Sequence, residues 1–287
     1  MSRNIKVDML ESEGGRLAYE VTGEGPLVVL APGMGNDRAA YRFLAPRLTA
    51  AGYRVAVTDL RGHGDSSTGW ASYTRADTAR DLVALTRHLG GPAVIVGHSF
   101  SGGAATIAAA REPELVSAVV EIAPFTRAQK PDLGGLLRNP AYRKGMTLLM
   151  ATGMLRNVGL WKRYLDHAFP GRKPADFAAY LDRLAGDLSR PGRMAVLARM
   201  GLAAPTDAGD HLGRLRRPTL VVMGTADPDW NDPRAEAEGV VAAMPSGVGR
   251  VVMIEGAGHY PHAQYPDEVA AAILSFLKEP LKEPRDA

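Results

Sequence analysis

Val94-Ile95-Val96-Gly97-His98-Ser99-Phe100-Ser101-Gly102-Gly103 is the stretch on which the reading of this 287-residue chain turns. Four apolar residues, Ala93–Val96, form a short continuous run of the kind expected of a strand buried on both faces. The run leads straight into a serine, and Ala104–Ala110 continues as helix. A serine hydroxyl in water is a poor nucleophile. A sharp strand-to-helix turn exposes its oxygen and aims a helix N-terminus at the reacting atoms. Such a turn strains the backbone, so its neighbours must be small, as Gly97, Ser101, Gly102 and Gly103 are. The same residues would also suit a strand–loop–helix junction that merely holds a serine, so partners have to be sought.

Working outward, strands alternate with helices on both sides of this turn. Ile5–Glu11 and Arg16–Thr22 read as a hairpin around Gly14-Gly15, and Leu27–Ala31 as another buried strand. That strand ends in Pro32-Gly33-Met34-Gly35, a loop able to take unusual backbone angles. Tyr41–Ala51 has helical spacing, Arg54–Thr58 is a strand, and Asp59–Ser67 is a turn-rich loop. Tyr73–Leu89 is a helix with Ala79, Leu82, Val83, Leu85 and Leu89 on one stripe, and Val116–Ile122 is the next strand. Then the alternation stops. From Phe125 to Asp210 the pattern is helical, broken at Pro131, Pro140, Pro170, Pro174 and Pro191. Strands resume at Thr219–Met223 and Arg250–Ile254, with helices at Pro233–Met244 and Pro266–Leu277, before a charged tail from Pro280. A β/α core interrupted by one helical block implies a parallel sheet carrying an insertion.

The ends of the two late strands supply the partners. Gly224-Thr225-Ala226-Asp227 follows one, and Gly256-Ala257-Gly258-His259 follows the other. Ser99, Asp227 and His259 thus each lie just beyond the C-terminal end of a strand, where ligands and catalytic groups gather in open α/β sheets. Asp229, two residues beyond Asp227, is the alternative acid.

With these residues in place, the chain resembles the α/β-hydrolase superfamily from about Gly23 to Leu277, the helical block being the least specific part. Asp59-Leu60-Arg61-Gly62-His63-Gly64-Asp65-Ser66 is similar to the family's loop beside the active site, with Arg61 and His63 read as loop-holding residues. The resemblance implies an α/β-hydrolase fold, a mostly parallel eight-stranded sheet flanked by helices. Its core domain would comprise 1–124 and 211–287, with an inserted helical cap over 125–210. It further implies a nucleophile at Ser99, a base at His259 and an orienting acid at Asp227, with the backbone N–H groups of Met34 and Phe100 as oxyanion hole. Ser99 in place of a carboxylate argues against epoxide-hydrolase and dehalogenase chemistry. Two positions depart from the family pattern. Ser101 stands where the elbow usually ends in glycine, as in some slow hydrolases and receptor-like members. The oxyanion loop begins with Pro32-Gly33 where much of the family has His-Gly.

The expected activity is cleavage of carboxylic esters or lactones of small, largely apolar substrates through an acyl-enzyme. Alternatives on the same residues are acyl transfer, amide or carbon–carbon bond hydrolysis, and a slow-turnover ligand receptor. Met34 and Phe100 would wall the pocket, and Phe125 and Trp230 are read both as packing residues and as candidate substrate contacts. Met146, Met150 and Met154 have helical spacing and read as a packed stripe; facing the pocket, they would favour a modest apolar group. His98 reads as a packed or hydrogen-bonded core residue, His262 as a loop residue, and Asp232-Pro233 as a helix start.

Composition sets the outer limits. There is no cysteine, which excludes a disulfide framework, a thiolate nucleophile and cysteine metal sites. No metal or organic cofactor is implied. A net charge of +3 is a small surplus on spread basic residues, with a local excess between Arg127 and Arg217, so no nucleic-acid partner is expected. No uncharged apolar run reaches the roughly 18 to 20 residues of a membrane span. Met1 to Gly15 lacks an apolar signal core, so no membrane partner is expected and the cytoplasm is the expected location.

Overall fold

The computed structural model describes residues 6–128, 132–203 and 206–278. Ile5, Pro131 and the tail from Pro280 lie outside the described residues. The strands are β1 (Val7–Ser12), β2 (Gly15–Thr22), β3 (Leu27–Ala31), β4 (Arg54–Thr58), β5 (Ala93–His98), β6 (Val116–Ile122), β7 (Thr219–Gly224) and β8 (Gly249–Ile254). They form one eight-stranded sheet in the order β1-β2-β4-β3-β5-β6-β7-β8. Only the β1–β2 and β2–β4 pairs are antiparallel; the rest of the sheet is parallel. The α/β-hydrolase fold read from the sequence is the fold of this chain. The hairpin between β1 and β2 turns through Glu13 and Gly14, both at positive φ.

Core helices are α1 (Leu44–Ala50), α2 (Arg75–His88) and α3 (Phe100–Arg111). Strands buried on both faces need a layer of helices on each side, and the alternation of β3 and β5 shows how it is met. Val29, Ala31 and Ile95 pack with Leu82 of α2 and Ile107 of α3; Val28, Leu30, Val94 and Val96 pack the other way with Leu44 and Leu48 of α1. Thr74 opens α2 with a capping box to Asp77, an arrangement worth about 1 kcal/mol.

Between β6 and β7 come α4 (Leu133–Arg138), α5 (Pro140–Leu155), α6 (Val158–Ala168), α7 (Phe177–Leu188), α8 (Arg193–Leu202) and α9 (Thr206–Leu212). Trp161, Tyr164, Leu165, Phe169, Tyr180 and Leu184 give this helical block its own apolar centre, joined to the sheet domain through Tyr260 and Ala263. Helix α9 packs instead against α3 and α2, in the layer on the sheet. The chain closes with α10 (Pro233–Ala242), α11 (Pro261–Gln264) and α12 (Pro266–Lys278). Asp232 caps α10 with a proline at its first position, as the sequence predicts. His262 departs from its reading as a loop residue: it lies in α11, wholly buried, with its ring against those of Tyr41 and His98. Among the described residues no helix is long and apolar enough to cross a membrane.

Candidate active site

The sharp turn after β5 places Ser99 at φ 54° and ψ −118°, a backbone region that an L-residue occupies only under strain. The strain is held by hydrogen bonds on either side. The Ser99 N–H donates to the Ile122 carbonyl at 2.8 Å, and the Ser99 carbonyl accepts from Gly102 and Phe125 at 3.0 and 3.2 Å. A side chain at Gly97 would run into the Ser101 carbonyl, so the turn closes only with glycine there. Gly97→Ala is accordingly expected to destabilise the fold by about 3 kcal/mol, read by urea denaturation. An unchanged midpoint would contradict this packing.

The loops after β7 and β8 are tied together, Ala226 N–H donating to the Ala257 carbonyl at 2.9 Å. They bring Asp227 and His259 to Ser99. His259 Nδ1 lies 2.8 Å from Asp227 Oδ2, and His259 Nε2 lies 2.9 Å from Ser99 Oγ. With Nδ1–H donating to the carboxylate, Nε2 is left to accept the serine hydroxyl proton. All three residues are buried, Ser99 being the most open at 7% exposure. Burial alone would lower the His259 pKa, but Asp227 and Asp229 more than offset it and raise it to about 9. Asp229 is also close, its Oδ2 3.4 Å from His259 Nδ1, and burial raises its pKa to about 6. Asp227 is the nearer acid and also accepts the Asp229 N–H at 3.0 Å. Asp227, Asp229 and His259 offer oxygen and nitrogen atoms within 4.8 Å of one another, the spacing of a cation site. Within that group, His259 Nδ1 faces Asp227 and its Nε2 faces Ser99, each at hydrogen-bond distance.

Ser101, His98 and Trp161 hold the loop at Pro32–Gly35 in ways the sequence did not reveal. The Ser101 hydroxyl donates to the Pro32 carbonyl at 2.6 Å, so the serine that replaces the elbow's glycine anchors the neighbouring loop. His98 is buried, and its Nδ1 accepts from the Gly33 N–H at 3.3 Å while Nε2 donates to the His259 carbonyl at 2.8 Å. One imidazole thus spans the loop and the backbone of His259. His63 Nε2 accepts from the Gly35 N–H at 2.9 Å, and Arg61 pairs with Asp81 and Glu13, in line with their reading as loop-holding residues. From the helical block, Trp161 Nε1 donates to the Gly35 carbonyl at 3.2 Å. Gly35 stands at φ +70° with Trp161 where a Cβ would lie, so a larger residue fits poorly there. Among the described residues, none of the hydrogen bonds that hold this loop uses the Met34 N–H. Phe100, first residue of α3, has no intrahelical partner for its own N–H.

Ser99 and His259 open into a cavity of about 500 Å³ between the sheet edge and the helical block. Met34, Phe100 and Phe125 line it as expected. Trp230 does not. It is buried behind Phe125 with ring centroids 4.8 Å apart, so its contact is with that ring. The methionines also depart from their reading as a packed stripe. Met146, Met150 and Met154 of α5 border the cavity with Met200 of α8, and Met150 and Met154 are 62% and 78% exposed. Helical spacing marks a shared face but not what that face meets. Tyr164 and Asp229 line the cavity too, and sequence reasoning missed the tyrosine. A larger cleft, about 830 Å³, lies beside Arg38, Asp59 and Arg183 and touches neither Ser99 nor His259.

Comparison with known proteins agrees with this architecture. The profile of the Alpha/beta hydrolase family matches residues 28–272. Polyketide synthase ThaQ of Burkholderia thailandensis is 32% identical over 97% of this chain, which spans only 13% of that protein's length. Epoxide hydrolase A of Mycobacterium tuberculosis is 29% identical, with 94% of this chain and 96% of that protein covered. Among solved structures, the malate-bound thermophilic esterase from Thermogutta terrifontis superposes with a TM-score of 0.74 at 26% identity, covering 96% of this chain and 98% of its own.

Proposed function

Since the chain belongs to the alpha/beta hydrolase family and is an enzyme, we propose that it cleaves carboxylic esters or lactones of small, largely apolar substrates. The observation that carries this reading is the continuous hydrogen-bonded line Asp227–His259–Ser99, ending in an apolar cavity. His259 takes the Ser99 proton as the hydroxyl oxygen attacks the substrate carbonyl. The N–H groups of Met34 and Phe100 receive the developing oxyanion, a contribution typically worth ~10²–10³ in rate per donor. Asp227 holds the imidazole in the productive tautomer and stabilises its charged form. The proton on His259 then goes to the leaving alcohol, and water, deprotonated by the same imidazole, releases the acid from Ser99. Met34, Phe100 and the α5 methionines supply an adaptable apolar wall for the acyl or alcohol group, and the helical block acts as a cap.

A relative named as an epoxide hydrolase does not bring that chemistry with it, because the elbow residue here is a serine. The likeness to a thermophilic esterase supports ester cleavage. The reading is tested with p-nitrophenyl esters of increasing acyl length. Turnover is expected to rise to a medium-chain optimum and fall for long chains that exceed the cavity. Folded protein that turns over no member of the series would overturn it. Turnover should also climb with pH. Only neutral His259 can accept the proton, and its pKa is raised to about 9, so kcat/KM at pH 6 should lie well below its value at pH 9. A flat profile over that range would contradict the assignment of His259.

A further inference from the structure

Asp227 accounts for the hydrogen bond to His259, yet a second carboxylate faces the same nitrogen. Asp229 is completely buried, and its Oδ2 lies 3.4 Å from His259 Nδ1. That oxygen is held by one donor, the hydroxyl of Tyr164, at 2.6 Å. Tyr164 is itself buried and belongs to α6, in the helical block, whereas Asp229 and His259 belong to loops at the sheet edge. The other carboxylate oxygen, Oδ1, has no hydrogen-bond partner among the described residues and lies under Gly145 of α5. Keeping a carboxylate buried with one oxygen unpaired is unfavourable unless charge or hydrogen bonding compensates. Here the compensation is the tyrosine hydroxyl on one side and the imidazole on the other.

We propose that Tyr164 and Asp229 are positioning residues that tune the base: the cap, through one tyrosine hydroxyl, keeps a second negative charge beside His259. The proposal deepens the hydrolase reading above and rests on His259 being its base. Its electrostatic sense follows from the surroundings. The other titratable groups near the pair are His98 from β5, Tyr260 and His262 after β8, and Tyr142 from α5. Burial pushes both histidines toward the neutral form and both tyrosines upward, so none of them carries charge near neutral pH. The charges that act on His259 from this cluster are therefore those of Asp227 and Asp229. The tyrosine hydrogen bond favours the ionised form of Asp229. Without it, Asp229 takes up a proton more easily, its attraction for the imidazolium weakens, and His259 loses its proton at lower pH.

The test is an NMR titration of the His259 imidazole in protein with ring-labelled histidine, assigned by the resonance lost in His259→Gln. Tyr164→Phe, Asp229→Asn and the double variant are compared with the parent. Asp229→Asn is expected to lower the His259 midpoint by about one pH unit, as loss of an opposite charge a few ångströms away does. Tyr164→Phe should move it the same way by less, and the double variant should match Asp229→Asn alone. Midpoints unmoved in both single variants, or a double variant shifted by the sum of the two, would overturn the proposal. Tyr164→Phe keeps the ring and its packing, so it decides the matter by itself if Asp229→Asn fails to fold. The titration needs no substrate, so a protein without esterase activity would sink the hydrolase reading and leave this result standing on its own.

Discussion

Ser99→Ala is expected to reduce ester hydrolysis by about 10⁴-fold or more while leaving the free energy of unfolding, measured in urea, within ~1 kcal/mol of the parent. The size follows from the site. The hydroxyl oxygen lies 2.9 Å from His259 Nε2 beside the cavity, and on the proposed mechanism its removal leaves the substrate with no nucleophile to attack it. The small stability change follows from the backbone. The bonds that hold the strained turn use the N–H and carbonyl of residue 99, not its side chain. Relief of one polar group in an apolar pocket can even raise stability slightly. Residual turnover within tenfold of the parent would mean that the ester is cleaved by some other group.

The second large effect separates the two acids. Asp227→Asn should lower kcat by about 10³–10⁴-fold, because an amide facing Nδ1 can hold the imidazole in the wrong tautomer. Asp229→Asn should lower it by only about tenfold, since the 2.8 Å bond from Asp227 survives. Steady-state kinetics on the best p-nitrophenyl ester, at a pH where the parent's rate has levelled, compares the two. Equal losses, or the larger loss at Asp229, would reassign the orienting acid to the residue 3.4 Å away.

What was legible in the sequence was what local chemistry dictates. Five apolar residues at Leu27–Ala31 and the run ending at Val96 can be little other than buried strands, and the small residues around Ser99 leave few conformations besides a sharp turn. Strand ends then locate Asp227 and His259, because a parallel sheet gathers its C-terminal edges at one place. Boundaries shifted: Tyr73–Leu89 begins as helix only at Arg75, after Thr74 caps it, and Tyr41–Ala51 is α-helical only from Leu44 to Ala50, Tyr41 being the last residue of a 3₁₀ turn that starts at Arg38.

What was not legible depends on partners distant in sequence. His98 finds one bond partner at Gly33 and another at His259, and no local pattern announces either. Ser101 looks like a departure from the elbow pattern until the Pro32 carbonyl is seen beneath its hydroxyl. Met146, Met150 and Met154 show the same period whether they face a core or a cavity. The Tyr164–Asp229 contact joins residues 65 positions apart across two layers.

The most direct test of the central claim, that Ser99 is acylated, is mass spectrometry of protein quenched in acid during turnover of a slow p-nitrophenyl ester. One acyl group per chain is expected, on the peptide that contains Ser99, and none on the Ser99→Ala protein. An acyl group found on another residue, or turnover that persists once a phosphonate has covalently capped Ser99, would contradict the account.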